Sequence, residues 1–378
     1  MKVFYWSPHT IYVATVKAVL NSAESLIEYG DKKYDVRIIN ANGEWNEFKS
    51  EKVKFINLFD RISFITFPVN GFFRSRISYL YIFIKYFFSL RKLLKFEKPD
   101  FLIVHLISSL PLVLLILFNF KTKFILRVSG LPKLNFIRRV LWILVSRKLH
   151  AITAPTNITR DYLVNNNIAH KSKIYLLTDP VFKIRQIIKL KNQKFEDNIL
   201  LGEKNKYIIS IGRLTYQKNF NLLIESFSEI KKIYNKYRLI IIGDGEKKKE
   251  LQSLIEKLDL RNDVFLLGFK KNIFPYLKIS DCLISSSLWE DPGFTLIEAG
   301  ILNKIIISSN CISGPKELLN QNNGYLFENN NKVSLVEKFI DYKNNNYEIN
   351  KIKKIITKKK FKVYSTFSHF LQLKSLLK

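Results

Sequence analysis

Cysteine is scarce in this chain of 378 residues. The two cysteines, Cys282 and Cys311, have no Cys-x-x-Cys spacing and cannot build a disulfide framework. Their scarcity excludes a disulfide-stapled domain and predicts a reducing compartment with inert thiols. The N-terminus, MKVFYWSPHT, also lacks an apolar stretch long enough for a secretory signal, so we expect it to form a short first strand.

Acidic residues are scarce relative to basic ones. The chain has 62 Lys and Arg against 32 Asp and Glu, which gives a net charge of +30. One interpretation of this excess is codon bias, which would explain most of it, because the chain is also crowded with Asn, Ile, Phe and Tyr. The remainder would suit nucleic acid, a membrane surface or a phosphorylated substrate. Since the sequence has no zinc-ligand set, RNA-recognition aromatic motif or basic heptads, we expect no nucleic-acid partner.

Long apolar runs are also lacking. Residues 106–120, LISSLPLVLLILFNF, are shorter than the ~20 residues that a membrane span needs and contain Pro111, which predicts a buried helix. The neighbouring residues 78–96, SYLYIFIKYFFSLRKLLKF, mix aromatic, aliphatic and basic side chains. This composition is typical either of a helix in a membrane interface or of a helix packed on a sheet, with its basic groups reaching solvent.

Strand patterns alternate with helical patterns along the whole chain, which predicts an α/β protein with parallel sheets and crossover helices. The length is typical of two to three domains. The segment IYLLTDP is followed by an irregular basic stretch that has the character of a linker. We therefore predict an N-terminal domain over residues 1–185, a second domain over 186–355 and a C-terminal helix over 356–378.

The first candidate site motif is IISIGRLTYQKN, residues 208–219, in which a buried strand ends at Gly212. Arg213 and Lys218 follow in the loop. A loop at the carboxyl end of a parallel strand faces the ligand crevice, where these two cations could hold a diphosphate. The alternative is that both are solvated surface cations. A second strand end, IIIGDGE, is neither a Gly-x-Gly-x-x-Gly fingerprint nor a phosphate-binding P-loop, but its Gly243 would allow close backbone approach to a ligand.

The second candidate motif is SSSLWEDPGFTLIEAG, residues 285–300, a strand end, loop and helix start. Glu290 lies in the loop, and Glu298 lies about one turn into the helix. Free amides at the helix start would make an anion site, and carboxylates beside it suit sugar hydroxyls. Together with Arg213 and Lys218, these groups match the chemistry of a nucleotide sugar. Taken alone, the two glutamates could also be helix-capping or surface charges.

At this point the sequence resembles the family 4 glycosyltransferases of the GT-B fold. The resemblance rests on GRLTYQKN, IIGDGE, VFLLGF, SDCLISSSLWEDPGFTLIEAG and GPKELL with NGYLF, in that order over residues 205–330. Glu290 to Glu298 matches the E-x7-E motif of that family. The resemblance implies two Rossmann-like domains whose parallel sheets face each other across a cleft, with the final helix crossing back to the first domain. It also implies retention of the anomeric configuration and no obligatory metal or other cofactor.

The resemblance also implies roles for individual residues. Arg213 and Lys218 would bind the donor diphosphate, Glu298 the nucleotide ribose and Glu290 the hydroxyls of the donor sugar. Further donor contacts would come from the backbone of Gly293, Phe294 and Thr295 and, beside the base, from Phe269 and Lys270.

The N-terminal half departs from the family pattern. SPHTIYVAT replaces the usual glycine-rich first loop, and Ser129-Gly130 stands where many members have a His-Gly pair. The histidine of that pair would contact the donor sugar near the reacting carbon. His105, at the end of a predicted strand, is the nearest candidate for this catalytic role, and His9 is a second candidate that could face the acceptor.

We therefore expect a retaining, metal-independent glycosyltransferase that uses a nucleotide sugar, with UDP favoured over GDP. The basic N-terminal half suits a lipid-linked glycan acceptor and an anionic membrane surface. This points to synthesis of bacterial surface polysaccharide or glycoconjugate on the cytoplasmic face of the inner membrane. The alternatives are a GT-B epimerase or phosphorylase and a non-catalytic basic protein that binds a membrane or nucleic acid. The acceptor identity, the linkage and the oligomeric state stay open.

Overall fold

The computed structural model describes residues 1–9, 14–46, 50, 52–58, 72–194 and 205–378, and of residues 72–78 only the backbone. Its contacts divide the chain into two units. The first unit comprises Met1–Val181 and Thr366–Lys378, and the second comprises Phe182–Ser365. The C-terminal residues thus belong to the first unit from Thr366 onward, whereas the sequence placed the beginning of the last element at residue 356.

The first unit contains a parallel sheet of seven described strands in the order β3-β2-β1-β4-β5-β6-β7. Its strands are β1 (Lys2–Trp6), β2 (Asp35–Asn40), β3 (Lys54–Asn57), β4 (Phe101–Val104), β5 (Lys123–Arg127), β6 (Ala151–Ala154) and β7 (Ile174–Leu176). Its helices are α1 (Ala14–Tyr29), α2 (Phe72–Glu97), α3 (Ser109–Leu117), α4 (Phe136–Ser146), α5 (Asn157–Asn165) and, from the end of the chain, α14 (Thr366–Leu376).

Helices cover both faces of this sheet. Because side chains alternate along a strand, Phe4 and Trp6 of β1 join the core under α2, α3 and α4, whereas Tyr5 joins the core under α1 and α14. Helix α3 is mostly buried, as expected for the apolar run at residues 106–120. Among the described residues, no helix is both long and apolar enough to cross a membrane.

Helix α2 is packed on the sheet, which is one of the two interpretations of residues 78–96, and its contact with a membrane stays a prediction. Its Tyr86, Leu90 and Leu94 are buried in the core against the sheet. Its Ile84 and Phe88 point outward and are 65% and 73% exposed. One side of the helix is therefore a packed core element, and the other is an apolar surface.

The second unit contains a parallel sheet of six described strands in the order β10-β9-β8-β11-β12-β13. Its strands are β8 (Lys206–Ile211), β9 (Tyr237–Ile242), β10 (Val264–Leu266), β11 (Cys282–Ser285), β12 (Ile305–Ser309) and β13 (Tyr325–Phe327). Its helices are α6 (Ile184–Leu190), α7 (Phe220–Ile233), α8 (Lys248–Lys257), α9 (Phe274–Ile279), α10 (Phe294–Ile301), α11 (Gly314–Leu318), α12 (Lys332–Asn344) and α13 (Tyr347–Phe361).

Two parallel α/β units confirm the predicted fold class. In the second sheet the chain runs outward from β8 through β9 to β10, then returns to β11 on the other side of β8. Open parallel sheets bind ligands at the carboxyl ends of their strands, where the strand order reverses. The reversal places the candidate site of this unit between the ends of β8 and β11.

Candidate active site of the second unit

The loops that follow β8 and β11 carry the predicted diphosphate and sugar residues. Arg213 lies in the loop after β8, and Lys218 ends a short 3-10 turn over Tyr216–Lys218. Glu290 lies in the loop after β11. Because β8 and β11 are neighbours in the sheet, these two loops meet at its carboxyl edge.

Lys218 and Glu290 form a direct ion pair. The Lys218 ammonium contacts Oε1 of Glu290, and the Ser287 hydroxyl donates a hydrogen bond of 2.9 Å to the same oxygen. The two side chains are only 16% and 12% exposed. In such a setting the attraction is screened less than on an open surface, so Glu290 compensates the charge of Lys218 and fixes its position.

Further hydrogen bonds hold the two loops together. The Ser286 hydroxyl donates to the carbonyl of Lys218 at 2.9 Å, and the Leu288 amide donates to the carbonyl of Gln217 at 2.8 Å. The Gln217 side-chain amide in turn donates to the carbonyl of Trp289 at 2.8 Å. These hydrogen bonds join the loop after β8 to the loop after β11, and they therefore help to hold Lys218 and Glu290 next to each other.

Two glycines make this arrangement possible. A side chain at Gly212 would come within 2.8 Å of Cε of Lys218, whose aliphatic stem passes over that position. Gly243 follows β9 with φ of +147°, and a Cβ there would lie 1.8 Å from the carbonyl oxygen of Gly212. The close neighbour of Gly243 in the structure is therefore the loop after β8, where any larger residue would push the strand ends apart, and the approach of a ligand to Gly243 stays a prediction.

Arg213 differs from Lys218 in its surroundings. Its side chain is exposed and makes no ion pair with any residue in the described ranges. Its planar guanidinium can therefore offer paired N–H donors to phosphate oxygens. Of the two predicted diphosphate cations, Lys218 has a counterion, and Arg213 has none among the residues that the structure describes.

Helix α10 begins beside Glu290. Gly293 precedes its first turn with φ of +98°, a conformation that favours glycine. Phe294 and Thr295 are the first helical residues, whose amides lack an intrahelical carbonyl partner and can bind an anion. Glu298 lies one turn further on and is buried. The predicted order of loop carboxylate, helix start and helical carboxylate is therefore present.

The strand ends on the other side of β8 form the predicted base-binding edge. The amide of Gly243 donates to the carbonyl of Gly268 at 2.9 Å, which joins the end of β9 to the end of β10. Phe269 follows directly and exposes its ring, and Lys270 is partly buried. An exposed aromatic ring at this edge is a surface on which a nucleobase could stack.

The two histidine candidates lie in the first unit. His105 follows β4 and is 1% exposed, and neither ring nitrogen has a hydrogen-bond partner among the described residues. Burial, with a contribution from the nearby Arg127, holds the pKa of His105 well below its usual value. Burial also lowers the pKa of His9 to about 4, and its ring packs edge-on against Trp45 at 4.9 Å. Both imidazoles are therefore neutral at pH 7.

Several groups around the ion pair were not identified from the sequence. Ser287 and Gln217 orient the loops, and the rings of Tyr216 and Trp289 lie 6.2 Å apart on their exposed side. These four residues lie inside the two candidate motifs. Their contacts could not be predicted from the motifs, because the contacts depend on β8 and β11 being neighbours in the sheet. Cys311 is buried nearby, and burial raises the pKa of its thiol to about 11, which agrees with the expectation of inert thiols.

Comparisons with known proteins agree with this geometry. Residues 191–360 match the family described as glycosyl transferases group 1. The chain is 32% identical over 311 residues to an uncharacterized glycosyltransferase of Methanocaldococcus jannaschii, covering 78% of this chain and 73% of that protein. It is also 34% identical over 146 residues, 38% of this chain and 39% of the relative, to a Campylobacter jejuni N-acetylgalactosaminyltransferase whose name specifies a diphospho-undecaprenol substrate.

Among solved structures, the fold is similar to that of the Anabaena protein HepE in complex with UDP and glucose. The TM-score is 0.73 at 14% identity, with 100% of this chain and 99% of the other covered. At this identity the likeness concerns the fold alone. The archaeal relative, the family match and the two parallel α/β units together establish that the chain belongs to the group 1 glycosyltransferases and has the GT-B fold.

Proposed function

We propose that the protein transfers a sugar, with retention of configuration and without a metal, from a UDP-sugar to a hydroxyl of a lipid-linked glycan. The observation that carries the donor part is the exposed Arg213, which has no ion-pair partner among the described residues, beside the Lys218–Glu290 pair at the reversal point of the second sheet. A nucleoside diphosphate carries the anionic charge that this position attracts, and the hydroxyls of its sugar suit the nearby carboxylate.

In the proposed mechanism, the protein stabilises the negative charge that develops on the leaving diphosphate. Breaking the anomeric C–O bond leaves negative charge on the diphosphate, and Arg213, Lys218 and the first amides of α10 would stabilise that charge. Glu290 would keep Lys218 in place and accept a hydrogen bond from a hydroxyl of the donor sugar. Glu298, on the buried face of α10, would accept hydrogen bonds from the ribose. We propose that His105, whose ring nitrogens have no hydrogen-bond partner among the described residues, contacts the donor sugar.

The acceptor part of the proposal rests on the outer surface of α2, α3 and α4, which we call the α2–α4 surface. These helices pack side by side, α2 against α3 and α3 against α4. Large apolar side chains are exposed along them: Ile84, Phe88, Leu117, Phe136, Ile137 and Leu144. Arg138 and Arg139 accompany them on α4. Apolar groups beside cations suit the interface of an anionic membrane, where a lipid-linked acceptor would reside.

This placement leads us to propose action on the cytoplasmic face of the bacterial inner membrane, in surface polysaccharide or glycoconjugate synthesis. The name of the Campylobacter relative, with its diphospho-undecaprenol, supports a lipid-linked acceptor. Vesicle flotation with Phe136→Ser/Ile137→Ser tests the surface, with Tyr175→Ser on β7 as the control. Unchanged flotation of the double variant would contradict membrane binding through α4.

The donor part is tested by a thermal-shift and slow-hydrolysis screen against UDP-, GDP- and ADP-sugars, with and without EDTA. We expect a UDP-sugar to raise the melting temperature and to be hydrolysed slowly in both conditions. NMR of the anomeric configuration of the transferred sugar then tests retention. A free phosphorylated sugar, an epimerised donor, or salt-sensitive membrane or nucleic-acid binding without any donor response would favour the alternatives.

A further inference from the structure

Helix α13 exposes its isoleucines instead of covering them. At 100° per residue, the exposed apolar residues of this helix fall on one arc of about 120°. They are Ile349, Ile352, Ile355 and Ile356, each between 39% and 57% exposed. A single exposed apolar residue is ordinary on a protein surface, whereas a continuous row on one helix marks a surface that binds something. We call this row the isoleucine face.

The buried side of α13, which includes Phe361, also carries polar groups into the second unit. The Lys353 ammonium donates to the carbonyl of Gln321 and lies 4.8 Å from the centroid of the Tyr325 ring, and burial lowers the pKa of this lysine. The Thr357 hydroxyl donates to the carbonyl of Asn323. Burying a lysine while exposing isoleucine reverses the usual amphipathic pattern. These specific inward contacts therefore fix the rotation of α13 that turns the isoleucine face outward.

The charge of α13 selects the class of partner. The helix has six lysines, Lys351, Lys353, Lys354, Lys358, Lys359 and Lys360, and one acidic residue, Glu348. Two copies of this chain would repel each other across such a surface, and an acidic partner would be attracted. Isoleucine offers no stacking platform for a nucleobase, so the face does not suit nucleic acid. A surface that is both anionic and able to take up aliphatic side chains is a bilayer of anionic lipids.

We propose that α13 docks on an anionic lipid bilayer through its isoleucine face, with the lysines at the border of that face at the level of the lipid phosphates. This is a membrane contact of the second unit, and it is argued independently of the α2–α4 surface and of the sugar transfer. Each exposed isoleucine would add apolar area removed from water, and each bordering lysine would add attraction to the headgroups.

A site-specific probe tests the contact on the full chain. The two native cysteines are buried, so Ile352→Cys can be labelled with an environment-sensitive fluorophore, with Val333→Cys on α12 as the control. Vesicles contain anionic phosphatidylglycerol with brominated acyl chains. We expect bromine quenching of the label at position 352 at least about fivefold stronger than at position 333, because only the isoleucine face would enter the interface. Vesicle binding with equal quenching at both positions would overturn the proposal.

A second measurement removes the apolar contribution without changing charge. We expect Ile352→Ser/Ile355→Ser to weaken partitioning into these vesicles on the order of tenfold, since two aliphatic side chains no longer leave water. The matched control is Ile233→Ser/Val333→Ser, which alters two equally exposed residues elsewhere in the second unit. Retained donor stabilisation in both variants shows that the fold and donor site are intact. Unchanged partitioning, or a self-association that only the first variant abolishes, would overturn the proposal.

Discussion

The Lys218 ammonium contacts the Glu290 carboxylate across two loops that are 72 residues apart in sequence. Sequence motifs alone assign these residues to different parts of a donor, one to the diphosphate and one to the sugar. In the structure each is the other's nearest counterion, and Ser287 holds the shared carboxylate oxygen. A bound diphosphate would therefore compete with Glu290 for Lys218, whereas Arg213, with no counterion in the part of the chain that the structure describes, is available to it.

This relationship predicts that Glu290→Gln separates binding from turnover. The amide removes the counterion of Lys218 but keeps the shape of the side chain, so the ammonium can interact more strongly with phosphate. We expect UDP affinity to be unchanged or tighter, and turnover to fall by about 10²-fold or more because sugar positioning is lost. Calorimetric titration of UDP and product formation measure the two effects. Glu256→Gln, an exposed glutamate on α8, is the control, and a large loss of UDP affinity in Glu290→Gln would contradict the argument.

Arg213→Ala should impair catalysis without impairing the fold. The side chain is exposed and makes no ion pair within the described part of the chain, so its removal should change the free energy of unfolding by less than about 0.5 kcal/mol. Loss of the diphosphate contact should lower turnover by about 10²- to 10³-fold. Arg261→Ala, which removes another exposed arginine of the same unit, should leave turnover intact. Wild-type turnover in Arg213→Ala would contradict the proposal that Arg213 binds the donor diphosphate.

The sequence predicted those parts of the candidate site that a short stretch of consecutive residues specifies. Buried strands such as β8, β9, β11 and β12 are short apolar runs, and their ends carry the motifs, so the order of the candidate site could be written down in advance. The Lys218–Glu290 pair could not, because it depends on β8 and β11 being neighbours in the sheet. Adjacency of strands that are far apart in sequence arises from packing, which a single sequence does not display.

Two other features show the same limit. Residues 320–331 are rich in asparagine, a composition typical of a loop, but Tyr325–Phe327 forms the edge strand β13 because it pairs with β12. Helix α13 has isoleucines at helical spacing that would ordinarily predict a buried face, yet the contacts of Lys353 and Thr357 turn them outward. In both cases tertiary contacts override a local preference.

In the first unit, the buried pair of Arg127 and Asp179 should show strong coupling in a double-mutant cycle. Both side chains are 3% exposed, and the guanidinium contacts the carboxylate directly. Arg127→Met alone leaves a buried, unpaired carboxylate and should lower the free energy of unfolding by about 3–5 kcal/mol. The double variant Arg127→Met/Asp179→Asn should cost less than the sum of the single changes. Denaturant unfolding of the four proteins measures the cycle, and simple additivity would show that the pair is not coupled.

The last prediction concerns pH and the buried His369 of α14. Its Nδ1–H donates to the carbonyl of Thr178 at 2.7 Å, and its Nε2 accepts from the Ser22 hydroxyl at 2.7 Å, so the neutral ring fastens α14 to α1 and to the segment after β7. Burial, with a smaller contribution from Arg127, lowers the pKa of His369 to about 3. The unfolded chain, with the ordinary value of 6.5, therefore binds the proton first as the pH falls.

The contribution of His369 to the free energy of unfolding should thus be complete above pH 6.5 and should be lost progressively as the pH falls toward about 3. Over that window the loss should be on the order of 4 kcal/mol. His369→Asn keeps a donor for Thr178 but cannot titrate, so the difference in unfolding free energy between wild type and variant should shrink as the pH is lowered. Urea unfolding at intervals from pH 7.5 to 4 measures this difference, with the exposed His170→Asn as the control. A difference that stays constant with pH would show that His369 has the same pKa in the folded and unfolded chains, and it would contradict the prediction.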